Sequence, residues 1–313
     1  MQLLPNRILL FFVMMLVLIP LAIGQRTSVV SREKLVSLPI SVWSKDKGFV
    51  KTLNAEDFEI YEGKRRLDVL SLTQNDEPLS IGILFDLSGS ILDSTNKFPQ
   101  AVTGLKAFLK NSHPKNDYFL LSFAESQTLL VDVTENRKQI EESLNDLAVV
   151  KARGNTSLFD VLETAFEKAS TLKHAKKAII VVSDGQDTVS KKADFDDINQ
   201  LAKRENVLLY LFNIQSRKDI ATPPTPPSLE ADQLFRTLMA NSGGRGFYPK
   251  MPNETNQGFE MLADELRSLY IVEVRPNSPS DKPKWRKLRL KLSNQTEDRL
   301  GKVFLRVKKG FYF

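Results

Sequence analysis

Cysteine is absent from this chain of 313 residues, and histidine and tryptophan occur only twice each. Without cysteine there is no disulfide framework, no thiolate nucleophile and no cysteine-bound zinc. The two histidines offer little to catalysis. His113 precedes Pro114 at a helix exit, and His174 lies near the basic end of another helix, where it would favour the dipole. Neither stands in a triad context, so a reaction that needs a placed acid or base lacks its usual partner. Long apolar runs are scarce too. The segment 8–23 is apolar apart from a break at Pro20, and its 16 residues fall short of the roughly 20 a membrane helix needs. Arg7 before it and Ala22-Ile-Gly24 behind it make it read as a secretory signal cleaved after Gly24. Export to a cell envelope is therefore expected, periplasmic or secreted, with membrane attachment only if the segment stays uncleaved. Removing residues 1–24 takes away Arg7 and lowers the formal charge from +6 to +5.

The remainder, 42% hydrophobic, is long enough for one large domain or two smaller ones. Its most informative stretch is Ile81-Gly-Ile-Leu-Phe-Asp-Leu-Ser-Gly-Ser90. The apolar run Ile81–Phe85 is too short for a helix and reads as a strand buried on both faces. Asp86, Ser88 and Ser90 follow at its carboxyl end, with Gly89 letting the backbone fold back and gather their oxygens. Two further segments repeat this grammar: Gly154-Asn-Thr-Ser157 opens an amphipathic helix with a hydroxyl at Thr156, and the strand Ala178–Val182 runs into Ser183 and the carboxylate of Asp184. Strands delivering oxygens from their carboxyl ends are what a doubly wound α/β sheet provides at its switch point. Oxygen-only donors suit a hard cation, Mg²⁺ before Mn²⁺ or Ca²⁺.

These segments resemble the von Willebrand factor A-type domain and its metal-ion-dependent adhesion site. The pattern of that family is Asp-x-Ser-x-Ser, a Thr in a second loop and an Asp before Gly in a third, here Asp86, Ser88, Ser90, Thr156 and Asp184. Two departures leave every ligand in place: Ile91 stands where Met is common, and Asn155 replaces the second Gly of Gly-Gly-Thr. The resemblance covers roughly residues 78–270 and implies a metal-binding site that captures an Asp or Glu of a protein partner, without enzymatic turnover. Asp57-Phe-Glu-Ile-Tyr-Glu-Gly63 resembles a segment that precedes the metal loop in a bacterial subgroup of these proteins.

The flanks have a different period. Leu38–Trp43, Asp57–Tyr61 and the positions Leu67 and Val69 alternate in the manner of strands, with a turn at Glu62-Gly-Lys64. Beyond Tyr270, Leu288, Leu290 and Leu292 alternate with Lys287, Arg289 and Lys291, and Val303, Leu305 and Val307 alternate with Arg306 and Lys308. Neither flank is large enough for a secure core alone. The expected organisation is a signal peptide (1–24), an N-terminal β segment (26–77), an A-type domain (78–270) and a C-terminal β segment (271–313), the two flanks forming one small β module. Within the central domain the sheet is expected to be mostly parallel, with Thr128–Val133 antiparallel at one edge because its connection is too short for a crossover. The four prolines of Thr222–Pro227 read as a surface loop that neither helix nor central strand accommodates.

Residues 281–309 carry eleven Lys and Arg against three acids. The plain reading is a solvated sheet face, and the sharper one attraction to an anionic polymer or lipid head group; no nucleic-acid motif accompanies it. The alternative function is a metal-assisted hydrolase using the same cation. A phosphatase of the haloacid-dehalogenase type would want a second carboxylate where Ser88 stands. Asp93, Asp160 and Asp187 lie close by in sequence and are expected to cap helices or support the ligands.

Overall fold

In the computed structural model, residues 35–92, 97–147, 154–214, 226–277 and 283–313 are described. The predicted signal segment, Asp93, the side chain of Ser90 and the first two of the four prolines lie outside that set.

The central layer is a six-stranded sheet built from β6 (Leu79–Asp86), β7 (Asp117–Phe123), β8 (Gln127–Thr134), β9 (Lys176–Ser183), β10 (Val207–Asn213) and β11 (Gly246–Phe247). The order across it is β11-β10-β9-β6-β7-β8. Every neighbouring pair is parallel except β7 with β8, which is antiparallel at the edge. All residues of β6, β7 and β10 are buried, as strands covered on both faces must be. The period of two divides them between two cores. Ile81, Ile83, Phe85, Ile180 and Val182 face helices α2 (Lys97–Asn111), α3 (Arg137–Leu147) and α7 (Pro252–Leu266). Leu84, Leu121, Ile179 and Val181 face α4 (Leu158–Ser170), α5 (Phe195–Arg204) and α6 (Pro226–Ser242). This is an α/β fold.

Close approach of α2 and α7 depends on Gly104, where a Cβ would lie 2.3 Å from Cδ2 of Phe259. Helix α6 corrects the expectation for the proline run. It begins at Pro226, so Pro226 and Pro227 occupy the first turn, where the missing N–H groups have no intrahelical partner to lose.

The flanking segments form two further sheets. One has the order β14-β1-β12-β5, from Val303–Arg306, Val36–Ser44, Tyr270–Arg275 and Asp68–Thr73, with β2 (Gly48–Phe49) on β1. The other has the order β15-β13-β3-β4, from Gly310–Tyr312, Trp285–Leu292, Phe58–Glu62 and Arg65–Arg66. Each sheet mixes strands from the two ends of the described chain. A shared core contains Leu38, Ile40, Val272 and Val274 from the first and Phe58, Ile60 and Leu292 from the second. Tyr270 pins it, donating from its hydroxyl to the Val50 carbonyl at 2.9 Å and accepting from Leu53 N–H at 3.0 Å. Pro39 is tolerated because β1 pairs with β12 through residues 36–40 and with β14 only through 41–44, so no partner seeks its missing N–H.

The basic C-terminal stretch does not form one solvated face. Lys287, Arg289 and Lys291 are exposed, but Arg286 turns inward to Glu62 at 3.1 Å. Lys308 is buried, its ammonium donating to the carbonyls of Lys203 and Glu205 at 3.2 and 3.4 Å at the end of α5. Burial pushes the Lys308 pKa down to about 8, against the pull of Glu205. Among the described residues no helix is long and apolar enough to cross a membrane.

Candidate metal centre

Three loops meet at the carboxyl edge of the central sheet. The first leaves β6 at Asp86 and turns into the single helical turn α1 (Gly89–Leu92). The second, residues 154–157, leads into α4, and the third leaves β9 at Ser183. Because β6 and β9 are adjacent and parallel, Asp86 and Asp184 come off neighbouring strand ends with no crossover between them.

The loops are tied pairwise by hydrogen bonds. Gly89 N–H donates to the Gly154 carbonyl at 3.3 Å, joining the first to the second. Thr188 N–H donates to the Thr156 carbonyl at 2.8 Å, and Thr156 N–H donates to Thr188 Oγ1 at 2.8 Å, joining the second to the third. Ser183 Oγ donates to Asp86 Oδ2 at 2.6 Å, joining the third to the first. The oxygens of this edge are thus held by the folded sheet, which removes ordering cost from any ligand they receive.

Asp86 is fully buried, and Asp184 and Thr156 are nearly so. Asp86 Oδ1 accepts from Ser88 N–H at 2.8 Å and Oδ2 accepts from Ser183. Burial is the largest influence on its carboxyl and, with the charge of Asp184, pushes the pKa up to about 6 against the hydrogen bonds of Ser183 and Ser88. Among the described residues, the neighbours that act most strongly on Asp86 are hydroxyls, an N–H and a second carboxylate, none of them positively charged. Asp184 Oδ1 accepts from Gln186 N–H at 3.0 Å, and its carbonyl accepts from Asn213 Nδ2 at 3.2 Å. Gly185 follows at φ 84°, a left-handed conformation that glycine takes without strain. Thr156 Oγ1 makes no hydrogen bond among the described residues, while its backbone is held on both sides by Thr188.

The donor set fits a hard divalent ion. Two carboxylates and neutral hydroxyls are oxygen ligands of total charge −2, the charge a divalent ion neutralises. Among the described residues no three His, Cys, Asp or Glu converge, so thiolate- or imidazole-rich metal chemistry has no donors here.

Of the predicted ligands, the structure brings Asp86, Ser88, Thr156 and Asp184 to one edge; the Ser90 side chain lies outside the described set. Of the supporting acids, Asp160 accepts from the N–H groups of Lys191, Lys192 and Ala193 at 2.9–3.2 Å and anchors the third loop. Burial raises the Asp160 pKa, but those donors outweigh it and hold the carboxyl below its ordinary value. Asp187 accepts from Phe159 N–H at 3.1 Å and Ser190 Oγ at 2.5 Å, capping α4. Asn155 hydrogen-bonds to Glu125 through Nδ2 at 3.0 Å, so it fastens the second loop to the β7–β8 turn. Ser183 and Thr188 were not anticipated. Ser183 was legible as a lone polar residue closing an aliphatic strand, whereas Thr188 had no local signal. Both histidines sit away from this edge: His113 precedes β7 and His174 precedes β9, at the opposite, amino-terminal end of those parallel strands.

Comparison with known proteins places the α/β part in a family. Residues 81–186, about a third of the chain, match the model of the von Willebrand factor type A domain, which assigns this α/β part to that domain family. No curated protein matches it. Among solved structures, a von Willebrand factor type A protein from Catenulispora acidiphila is 12% identical, with 90% of this chain and 74% of that chain covered and a TM-score of 0.49. An aerotolerance-related membrane protein from Bacteroides fragilis, with multiple mutations to serines, is 11% identical over 60% of this chain and 98% of that one, at a TM-score of 0.46. Proximal thread matrix protein 1 from the mussel byssus, with a zinc-occupied MIDAS motif, is 15% identical over 67% and 50%, at 0.46.

Proposed function

We propose that this protein is an exported, metal-dependent protein-binding module. In this reading the sheet is a doubly wound frame whose switch point holds one divalent ion, Mg²⁺ in the first instance, on Asp86, Ser88, Ser90, Thr156 and Asp184. The observation that carries the reading is the burial of Asp86 beside Asp184, with no cation among the described residues that act most strongly on it. A buried carboxylate in that position is stabilised by an external cation more than by any protein group present.

The ion would be neutralised by the two aspartates and keep acceptor capacity for one more anion. An Asp or Glu side chain of a partner protein supplies that anion without releasing the ion. A cavity of about 240 Å³ lined by Phe159, Gly185, Asp187, Glu230, Leu234 and Phe235 opens beside the third loop and gives a partner residue next to the acidic one a place to rest. The hydrolase alternative is not favoured, because the histidines are at the far end of the strands. Export rests on the sequence of residues 1–24, and the mass of the mature amino terminus tests it.

Calorimetry with Mg²⁺ and Mn²⁺ tests the metal. The wild type is expected to bind one ion, Asp184→Ala to lose binding, and Thr156→Ala to bind more weakly because it loses only a neutral oxygen. Retention of a partner from envelope extract is then expected with Mg²⁺ and not with EDTA. Full retention in EDTA or by Asp184→Ala overturns the metal-bridged contact. Metal-dependent turnover of a generic ester or phosphate, lost in the same variant, would replace it with the enzyme reading.

A further inference from the structure

A second site, separate from the metal loops, lies where the first β sheet meets α7. Glu265 on α7 is 1% exposed and receives two guanidiniums, Arg245 Nη2 at 2.7 Å and Arg306 Nε at 3.8 Å. The hydroxyl of Tyr210 donates to it at 3.3 Å. Two cations against one carboxylate leave a surplus of one positive charge in a partly buried place. The surplus resides on Arg306. Arg245 is the closer partner and lies over the Phe247 ring at 4.3 Å. Arg306 makes no hydrogen bond among the described residues, and its only ion pair is the long one to Glu265.

Arg306 does not face bulk water alone. It lines a cavity of about 250 Å³ whose other walls include Trp43 and Phe49 from β1 and β2, Phe304 from β14 and Met261 from α7. Trp43 and Phe304 stand with ring centroids 5.5 Å apart, and Phe304 is half exposed at the mouth. A guanidinium with unused donors, a net positive charge and walls of aromatic rings together specify a ligand: a head that accepts two N–H donors, and a flat or branched apolar body. Phosphate would satisfy the charge and leave the rings uncovered. An amine of the same shape would cover the rings and meet the charge with repulsion.

We infer that this cavity is a binding site for a small carboxylate with an aromatic or branched apolar body, its carboxylate on Arg306 and its body resting against the wall that Trp43 and Phe304 form. The site draws on strands from both ends of the chain and on a helix of the A-type domain, so it exists only in the assembled fold. None of its lining residues belongs to the metal loops, so its occupancy is expected to be independent of the proposed divalent ion.

Phenylacetate is a suitable probe, and Trp43 is the reporter. The chain has one other tryptophan, so a Trp285→Phe background leaves the signal to Trp43 alone. A ligand of that size is expected to bind with a dissociation constant on the order of 1 mM. Saturable quenching is expected in the full mature chain, unchanged by EDTA. Arg306→Gln is expected to weaken it at least about tenfold, the value of one charge-assisted pair. Phe304→Ala, which alters a half-exposed ring and leaves the buried charges in place, is expected to weaken it severalfold. Phenethylamine, the cationic counterpart, is expected not to bind. No saturable change with phenylacetate overturns the site. Equal binding of the amine, or unaltered affinity in Arg306→Gln, reduces it to an unspecific apolar hollow. If Arg306→Gln fails to fold, the amine contrast and Phe304→Ala decide the matter.

Discussion

Two buried carboxylates in this protein are treated in opposite ways. Glu265, at the junction of the β sheets and the α/β domain, is met by Arg245, Arg306 and Tyr210. Asp86, at the carboxyl edge of the central sheet, is met by hydroxyls, an N–H and the charge of Asp184. Both are removed from water to the same degree, so burial alone does not distinguish them. The sign of the neighbours does. Glu265 is matched by positive charge from within the chain and ties two parts of the molecule together. Asp86 has no positive charge among the described groups that act most strongly on it, and in the proposed reading an external cation supplies that charge.

The harshest way to probe the contrast is to remove the satisfied carboxylate. Glu265→Ala leaves two guanidiniums and a phenol without their acceptor, and its expected cost is about 3–5 kcal/mol, read from urea unfolding. If the loss is under about 1 kcal/mol, Glu265 does not organise the junction in the way the geometry indicates.

Lys308 tests the same junction through pH. Its folded pKa of about 8 lies below the ordinary lysine value, so the unfolded chain binds more protons between about pH 8 and 10.5. Its contribution is therefore complete above the unfolded pKa and lost as pH falls through the folded one. Stability of the wild type relative to Lys308→Met is expected to rise by up to about 3 kcal/mol across that window. A flat difference would mean that the ammonium is hydrated in solution.

Neutralising the carboxylate without a counter-charge should do the reverse of what happens at Glu265. In chelator at pH 7, Asp86→Asn is expected to stabilise the fold by about 2 kcal/mol, because it removes a buried charge whose pKa is pushed up to about 6. Added Mg²⁺ should then raise the melting temperature of the wild type and leave that of the variant unchanged. Destabilisation of metal-free Asp86→Asn would show that the charge is already compensated, and the contrast with Glu265 would fall. The smallest effect is expected at Thr188→Ala, which removes the hydroxyl that receives Thr156 N–H and no proposed ligand. Loss of that bond, about 1 kcal/mol, should lower Mg²⁺ affinity roughly fivefold in calorimetry.

How much of this was legible beforehand differs from element to element. The strands of the central sheet were, since Ile81–Phe85 and Ala178–Val182 are apolar at every position, and only a strand covered on both faces uses such a run. The antiparallel edge was legible from the short connection between Phe123 and Gln127. The start of α6 was not: two prolines argue against a helix interior, but the first turn is exempt. The C-terminal cations were misjudged as a group. Alternation places Arg306 and Lys308 on one side of their strand, and it cannot say that this side faces Glu265 and the end of α5.

The same division holds at the candidate sites. Sequence alone determined which residues carry oxygens at strand ends, because a carboxylate or hydroxyl directly after a buried apolar run has to emerge at the edge of the sheet. It also determined that the chain has no thiolate and only two histidines for other metal chemistry. Only the tertiary structure decided that Ser183 reaches Asp86, that Thr188 clasps Thr156, and that Arg306 and Arg245 share Glu265. These contacts join positions 20 to 97 residues apart. Local periodicity records which face of an element is apolar, and the identity of the group across from it is set only when the sheets and helices pack.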